Sequence, residues 1–176
     1  MIKIRYIITL MSILNNNLIF SQIVSLKKKY RNEELLYHSY FFKITQIQPV
    51  DVIIQDKFLF FLVQNEDYLK AKPFLKTIRN QLKHYKVLII REEFTLLRLI
   101  FSFFPDTYIH DVQLYQDSIS KNMVITLYFI FDLDRSIAVG NGGCYIKTIN
   151  YLFNKVINCQ FNNTSKIKIQ CKRFFL

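Results

Sequence analysis

The sequence predicts an α+β fold, and three observations carry that expectation. Residues 50 to 104 alternate short apolar runs rich in Val, Ile and Phe with helix-period segments. Two period-two segments, 111 to 119 and 123 to 131, come next. An amphipathic helix and an alternating strand then follow. With 176 residues, 51% of them apolar, the chain can bury a core of ordinary size. It divides into a basic N-terminal arm (1–49), a β-α-β segment (50–90) and a third region (91–176).

Taken in order, residues 1 to about 45 read as a poorly patterned arm with a helix near its start and a Lys27-Lys28-Lys29-Tyr30-Arg31 cluster. Val52-Ile53-Ile54 and the run from Phe58 to Val63 predict a strand or hairpin. Glu66 to His84 suits a helix, with Glu66 and Asp67 at its dipole-favoured start and Pro73 inside it. Val87 to Ile90 is a strand, and Glu92 to Phe104 a helix closed by Pro105. The pair 111–119 and 123–131 reads as antiparallel, joined at Ser120-Lys121-Asn122. The second member is apolar on both faces, as in a central strand. Asp132 and Asp134 read as turn formers. In Cys144 to Ile157, residues Ile146, Ile149, Leu152, Phe153, Val156 and Ile157 recur at helical spacing. Lys166 to Arg173 alternates as an edge strand with a basic outer face. No internal repeat is visible in the sequence.

Glycine usage singles out one site. At the average ~7% a chain of this length would hold about twelve glycines, whereas this one has three, all between positions 140 and 143. Glycines retained so selectively mark positions where a side chain would be ruinous, through positive φ or close approach of a ligand. A run of amides opening a helix is also an anion-binding nest. The spacing is neither the P-loop G-x-x-x-x-G-K-[ST] nor the dinucleotide G-x-G-x-x-G.

Val139-Gly140-Asn141-Gly142-Gly143-Cys144-Tyr145-Ile146 instead resembles the (I/V)-G-x-x-G-x-x-I signature of KH domains, whose loop clamps about four nucleotides by the backbone. The element order resembles the type II arrangement, α-β-β-α-α-β, a three-stranded sheet with helices on one face, over about residues 91 to 174. Similar patterns occur in the KH domain of small-subunit ribosomal protein three and in the KH domains of the elongation factor NusA. The resemblance implies RNA as ligand, held by Gly140, Asn141, Gly142 and Gly143. It departs from the family at Asn141 and Gly142, where many members carry Lys or Arg. The ribosomal family also carries a second α/β domain after its KH domain, which would here come from a separate chain.

Charge assigns the remaining contacts. The net charge of +11 favours polyanions. Residues 105 to 134 hold five Asp against Lys121, whereas residues 135 to 176 hold seven Lys/Arg and no acid. Arg135, Lys147, Lys155, Lys166, Lys168, Lys172 and Arg173 are therefore expected at RNA phosphates, with Lys27, Lys28, Lys29 and Arg31 of the arm. The partners expected are ribosomal RNA, neighbouring ribosomal proteins and messenger RNA. The AT-biased composition, with 17 Phe, 11 Tyr and no Trp, suits an organellar genome, and together with it the resemblance to the ribosomal family implies an organelle-encoded mitochondrial component of the small ribosomal subunit. A stand-alone KH factor resembling NusA is the alternative. A small membrane-associated subunit of a respiratory complex is a third, on the apolar N-terminus and mean hydropathy of +0.14.

Other chemistry is not expected. His38, His84 and His110 lack metal-ligand spacing, and Cys144, Cys159 and Cys171 fit neither a disulfide framework nor a CxxC site, so no cofactor, metal or catalytic residue is predicted. The first fourteen residues look like a secretion signal only until Asn15-Asn16-Asn17 interrupts them. Arg91, Glu92, Glu93 and Arg98 interrupt the best candidate for a membrane span, so no transmembrane segment is predicted.

Overall fold

The computed structural model describes residues 21–26, 30–120, 122–159 and 166–175. The Lys27-Lys28-Lys29 cluster and the helix expected near the start lie outside them. Two compact units are formed, Lys28–Glu93 and, separately, Met1–Lys27 with Phe94–Leu176.

In the first unit, the segment expected as an arm forms a helix, α1 (Asn32–Thr45). Its start explains why. Glu34 closes a capping box on Arg31, accepting its backbone N–H at 3.0 Å, and Gln46 ends the helix in the left-handed conformation. The hydrophobic spacing of α1 is weak, so pattern alone hides it. β2 (Asp51–Gln55) and β3 (Phe58–Val63) form the expected hairpin, with Asp56 at φ 51° in its turn. The expected helix 66–84 is divided by Pro73, which lacks an N–H: α2 (Asn65–Ala71), a 3₁₀ turn (Lys72–Phe74) and α3 (Leu75–Gln81). β4 (Lys86–Arg91) then pairs parallel with β3, giving the order β2-β3-β4. The core of this unit joins Phe41 of α1 to Ile54, Phe61, Ile78 and Val87. The rings of Phe41 and Phe61 stack at 4.4 Å, a contact contributing about 1 kcal/mol beyond area burial.

In the second unit, α4 (Leu96–Ser102) begins four residues later than its composition predicts. Backbone pairing holds the preceding residues extended: Val24 N–H donates to the Phe94 carbonyl at 2.9 Å, and Leu96 N–H to the Gln22 carbonyl at 3.0 Å. β5 (Asp111–Gln116) ends where the Asp117 carboxylate accepts hydrogen bonds from Ile119 and Ser120. β6 (Met123–Phe129) is central, antiparallel to β5 and parallel to β8 (Ile167–Arg173). Asp132 and Asp134, expected in a turn, open a two-turn helix, α5 (Asp132–Val139), where the dipole favours their charge. After the glycine loop, α6 (Cys144–Lys155) buries Tyr145, Thr148, Ile149, Leu152 and Phe153. Ile157, expected at a helix end, instead opens β7 (Ile157–Cys159), antiparallel to β1 (Val24–Leu26).

The fold is thus α+β with mixed sheets, and it contains a repeat that the sequence does not display. Each unit contains, in chain order, helix, strand, strand, helix, short turn, helix and strand, the second unit adding β1 ahead of these and β7 between α6 and β8. In each three-stranded sheet the middle strand pairs antiparallel with the strand before it, β2 with β3 and β5 with β6, and parallel with the unit's last strand, β4 or β8. No described helix is long and apolar enough to cross a membrane.

Candidate nucleic-acid interface

The three glycines occupy the junction of α5 and α6, each at positive φ: Gly140 at 73°, Gly142 at 60° and Gly143 at 75°. Their constraints differ. A Cβ on Gly140 would meet Tyr145 Cβ at 2.8 Å and Tyr145 N at 2.9 Å, so this position excludes side chains on both strain and space. A Cβ on Gly142 would meet nothing within 4 Å. Gly140 N–H closes α5 on the Ser136 carbonyl at 2.8 Å, and Gly143 N–H bonds the Gly140 carbonyl at 3.0 Å, folding the loop into a 3₁₀ turn. Asn141 and Gly142 are exposed at its apex.

Beneath the loop, the Tyr145 hydroxyl donates to the Phe103 carbonyl, and its ring meets Phe104 edge-on. Burial pushes the Tyr145 phenol well above its ordinary range, keeping it a neutral donor. The start of α6 is therefore anchored to the end of α4, and its positive pole faces the loop.

The predicted cations separate into groups. Lys147, one turn into α6, donates from Nζ to the Gly142 carbonyl at 3.4 Å and stands beside the apex. Lys155 lies at the far end of the same helix, ~12 Å along the axis from Lys147. Lys168 and Lys172 are exposed on the sheet face away from α6, because Ile167 and Ile169 take the buried side of β8. They share that face with Gln170, whose amide donates to Thr126 Oγ1 at 2.8 Å. Cys171 turns inward, and burial raises its thiol pKa to about 12. Lys166 is exposed just ahead of β8.

Arg135 and Arg173 converge on one carboxylate. Asp132 takes Arg135 Nε at 3.4 Å and Arg173 Nη1 at 2.7 Å. An acid three residues ahead of the acid-free stretch thus engages two of its cations, and the 41 residues between Asp132 and Arg173 conceal the second pairing in the sequence. Arg31 belongs to the other unit, where its Nη2 meets Glu34 at 3.2 Å and the Ile54 carbonyl at 2.6 Å. Lys27, Lys28 and Lys29 lie outside the described residues.

Neither a family model nor a curated protein matches the chain. Among solved structures it is similar to the crystal structure of APE1850, at 21% identity and a TM-score of 0.56, over 81% of this chain and the whole of that one. That span exceeds either unit, so the likeness of fold runs through both.

Proposed function

We propose that this protein binds single-stranded RNA through a type II KH domain formed by α4, β5, β6, α5, α6 and β8. Its loop Gly140-Asn141-Gly142-Gly143 holds the backbone, and Lys147 adds charge beside it. The observation that carries the reading is the glycine loop at positive φ between two helices of an α-β-β-α-α-β unit with a three-stranded mixed sheet. Lys155, Lys166, Lys168 and Lys172 give the surrounding surface its positive potential. Lys168 and Lys172 lie on the opposite sheet face and act at longer range.

Two cellular settings suit this chemistry. One is a structural component of the mitochondrial small ribosomal subunit, contacting ribosomal and messenger RNA. The other is a free-standing KH factor of the NusA kind. The second setting is favoured by one observation: a unit of the same topology precedes the loop-bearing one, whereas the ribosomal family's additional domain follows its KH domain. Sedimentation separates them, since a ribosomal component travels with the subunit and a factor stays near the top of the gradient.

Binding itself is tested by Asn141→Asp with Gly142→Asp. Two carboxylates at the exposed apex repel phosphate without entering the core. Affinity for a labelled oligouridylate should fall at least tenfold, and undiminished binding by the folded double variant would refute the assignment.

A further inference from the structure

Unit Lys28–Glu93 repeats the topology of the loop-bearing unit, but its helix–helix junction is Lys72-Pro73-Phe74. The backbone there behaves differently. Lys72 (φ −53°), Phe74 (φ −76°) and Leu75 (φ −56°) are all right-handed. Lys72 N–H bonds the Tyr68 carbonyl, Leu75 N–H bonds the Lys72 carbonyl, and Pro73 has no N–H. This junction offers no nest of amides, so an anion held here must be held by side chains.

Side chains of that kind are present. Lys72, Lys76 and Arg79 stand at i, i+4 and i+7 on one helical face. With Pro73, Leu75 and Asn80 they line an open hollow of about 360 Å³. All three are exposed, and none forms an ion pair among the described residues. Two are braced: Lys72 Nζ lies 5.8 Å from the centre of the Tyr68 ring, and Arg79 Nε donates to the Val87 carbonyl at 2.9 Å. Like charges at this spacing repel one another, and a bound anion relieves that repulsion.

Charge distribution repeats along with topology. Both units place two acids in the first turn of the helix after the central strand, Glu66 and Asp67 in one and Asp132 and Asp134 in the other. Beyond them, residues 68 to 91 carry seven Lys/Arg and no acid, as residues 135 to 176 do. The acid-free surface therefore recurs on the equivalent elements.

We propose that Lys72, Lys76 and Arg79 form a second phosphate site for single-stranded RNA, gripping the backbone by side-chain cations where the other unit uses loop amides. It rests on the RNA-binding reading above and adds a second point of contact to it.

The test is titration of the full chain with a fluorescein-labelled 20-nucleotide oligouridylate over a series of salt concentrations. The triple variant Lys72→Gln/Lys76→Gln/Arg79→Gln should bind at least tenfold more weakly. Its log–log salt slope should flatten by about 2, at ~0.7 per lost phosphate contact. Lys43→Gln/Lys57→Gln/Arg98→Gln, with the same change in net charge, should stay within about twofold of wild type. Each single variant of the hollow should flatten the slope by ~0.7, a readout that survives if the triple variant folds poorly. If the hollow triple binds like the control while the Asn141→Asp/Gly142→Asp variant loses binding, the second site alone is overturned. If wild type does not bind, or if the triple weakens only adhesion to phosphatidylglycerol vesicles, the site is overturned as well, and a wild type that does not bind also removes the RNA reading.

Discussion

The side-chain amide of Asn150 pairs with both backbone groups of Ile169, donating to its carbonyl at 2.8 Å and accepting from its N–H at 2.7 Å. One turn later Asn154 does the same to Ile167, at 2.7 and 3.0 Å. Two carboxamides on α6 thus stand in for a neighbouring strand along β8, which covers an edge that would otherwise template association. They also fix α6, and with it Lys147, against the sheet. Asn150→Leu should destabilise the chain by about 1–3 kcal/mol by orphaning both groups of Ile169, read as a lower urea midpoint at unchanged slope.

The glycines should separate by substitution. Gly140→Ala combines left-handed strain with a 2.8 Å approach to Tyr145 Cβ and should cost about 2 kcal/mol or more. Gly142→Ala meets no neighbour and should cost about 1 kcal/mol from its φ of 60° alone. Thermal unfolding of the two single variants compares them directly, and equal losses would contradict the geometry.

Asp132 holds two arginines at the surface, about half exposed itself. Asp132→Asn should change stability by no more than about 0.5–1 kcal/mol. It should also tighten RNA binding several-fold by freeing Arg135 and Arg173 for phosphate, with a steeper salt slope. Weaker binding by Asp132→Asn would show that the carboxylate positions these arginines for the ligand instead of competing with it.

Tyr85 donates its hydroxyl to Glu33 at 2.7 Å. That bond, with desolvation behind it, raises the phenol from 10.0 to about 12. Because the folded state holds the proton more tightly than the unfolded chain, the resulting stability is complete below pH 10. It is lost as pH rises toward about 12. Wild type should therefore lose more stability than Tyr85→Phe between those pH values, measured by urea midpoints; parallel losses would remove the bond from the account.

What the sequence determined by itself was local. A loop whose three glycines all need positive φ leaves a trace in any composition this poor in glycine, and α6 and β6 declare themselves through burial along their own length. Helix α1 is not legible in the sequence because its stability comes from the Arg31–Glu34 cap and from Phe41 packing on Phe61, not from an amphipathic stripe. Asn150 and Asn154 read as ordinary polar residues until β8 lies beside them.

Tertiary structure alone decided the rest. Asp132 meets Arg135 within α5 but reaches Arg173 only because β8 comes to lie parallel to β6, at the end of which α5 begins. The repeat of one topology in two units with dissimilar junctions, Gly140–Gly143 and Lys72–Phe74, is invisible to a residue-by-residue comparison. Strand order and pairing direction are set by which apolar faces bury one another, and many sequences satisfy that requirement equally. A positive φ, by contrast, is met by very few residue types, so the glycine loop is readable from the chain and the second unit only from the fold.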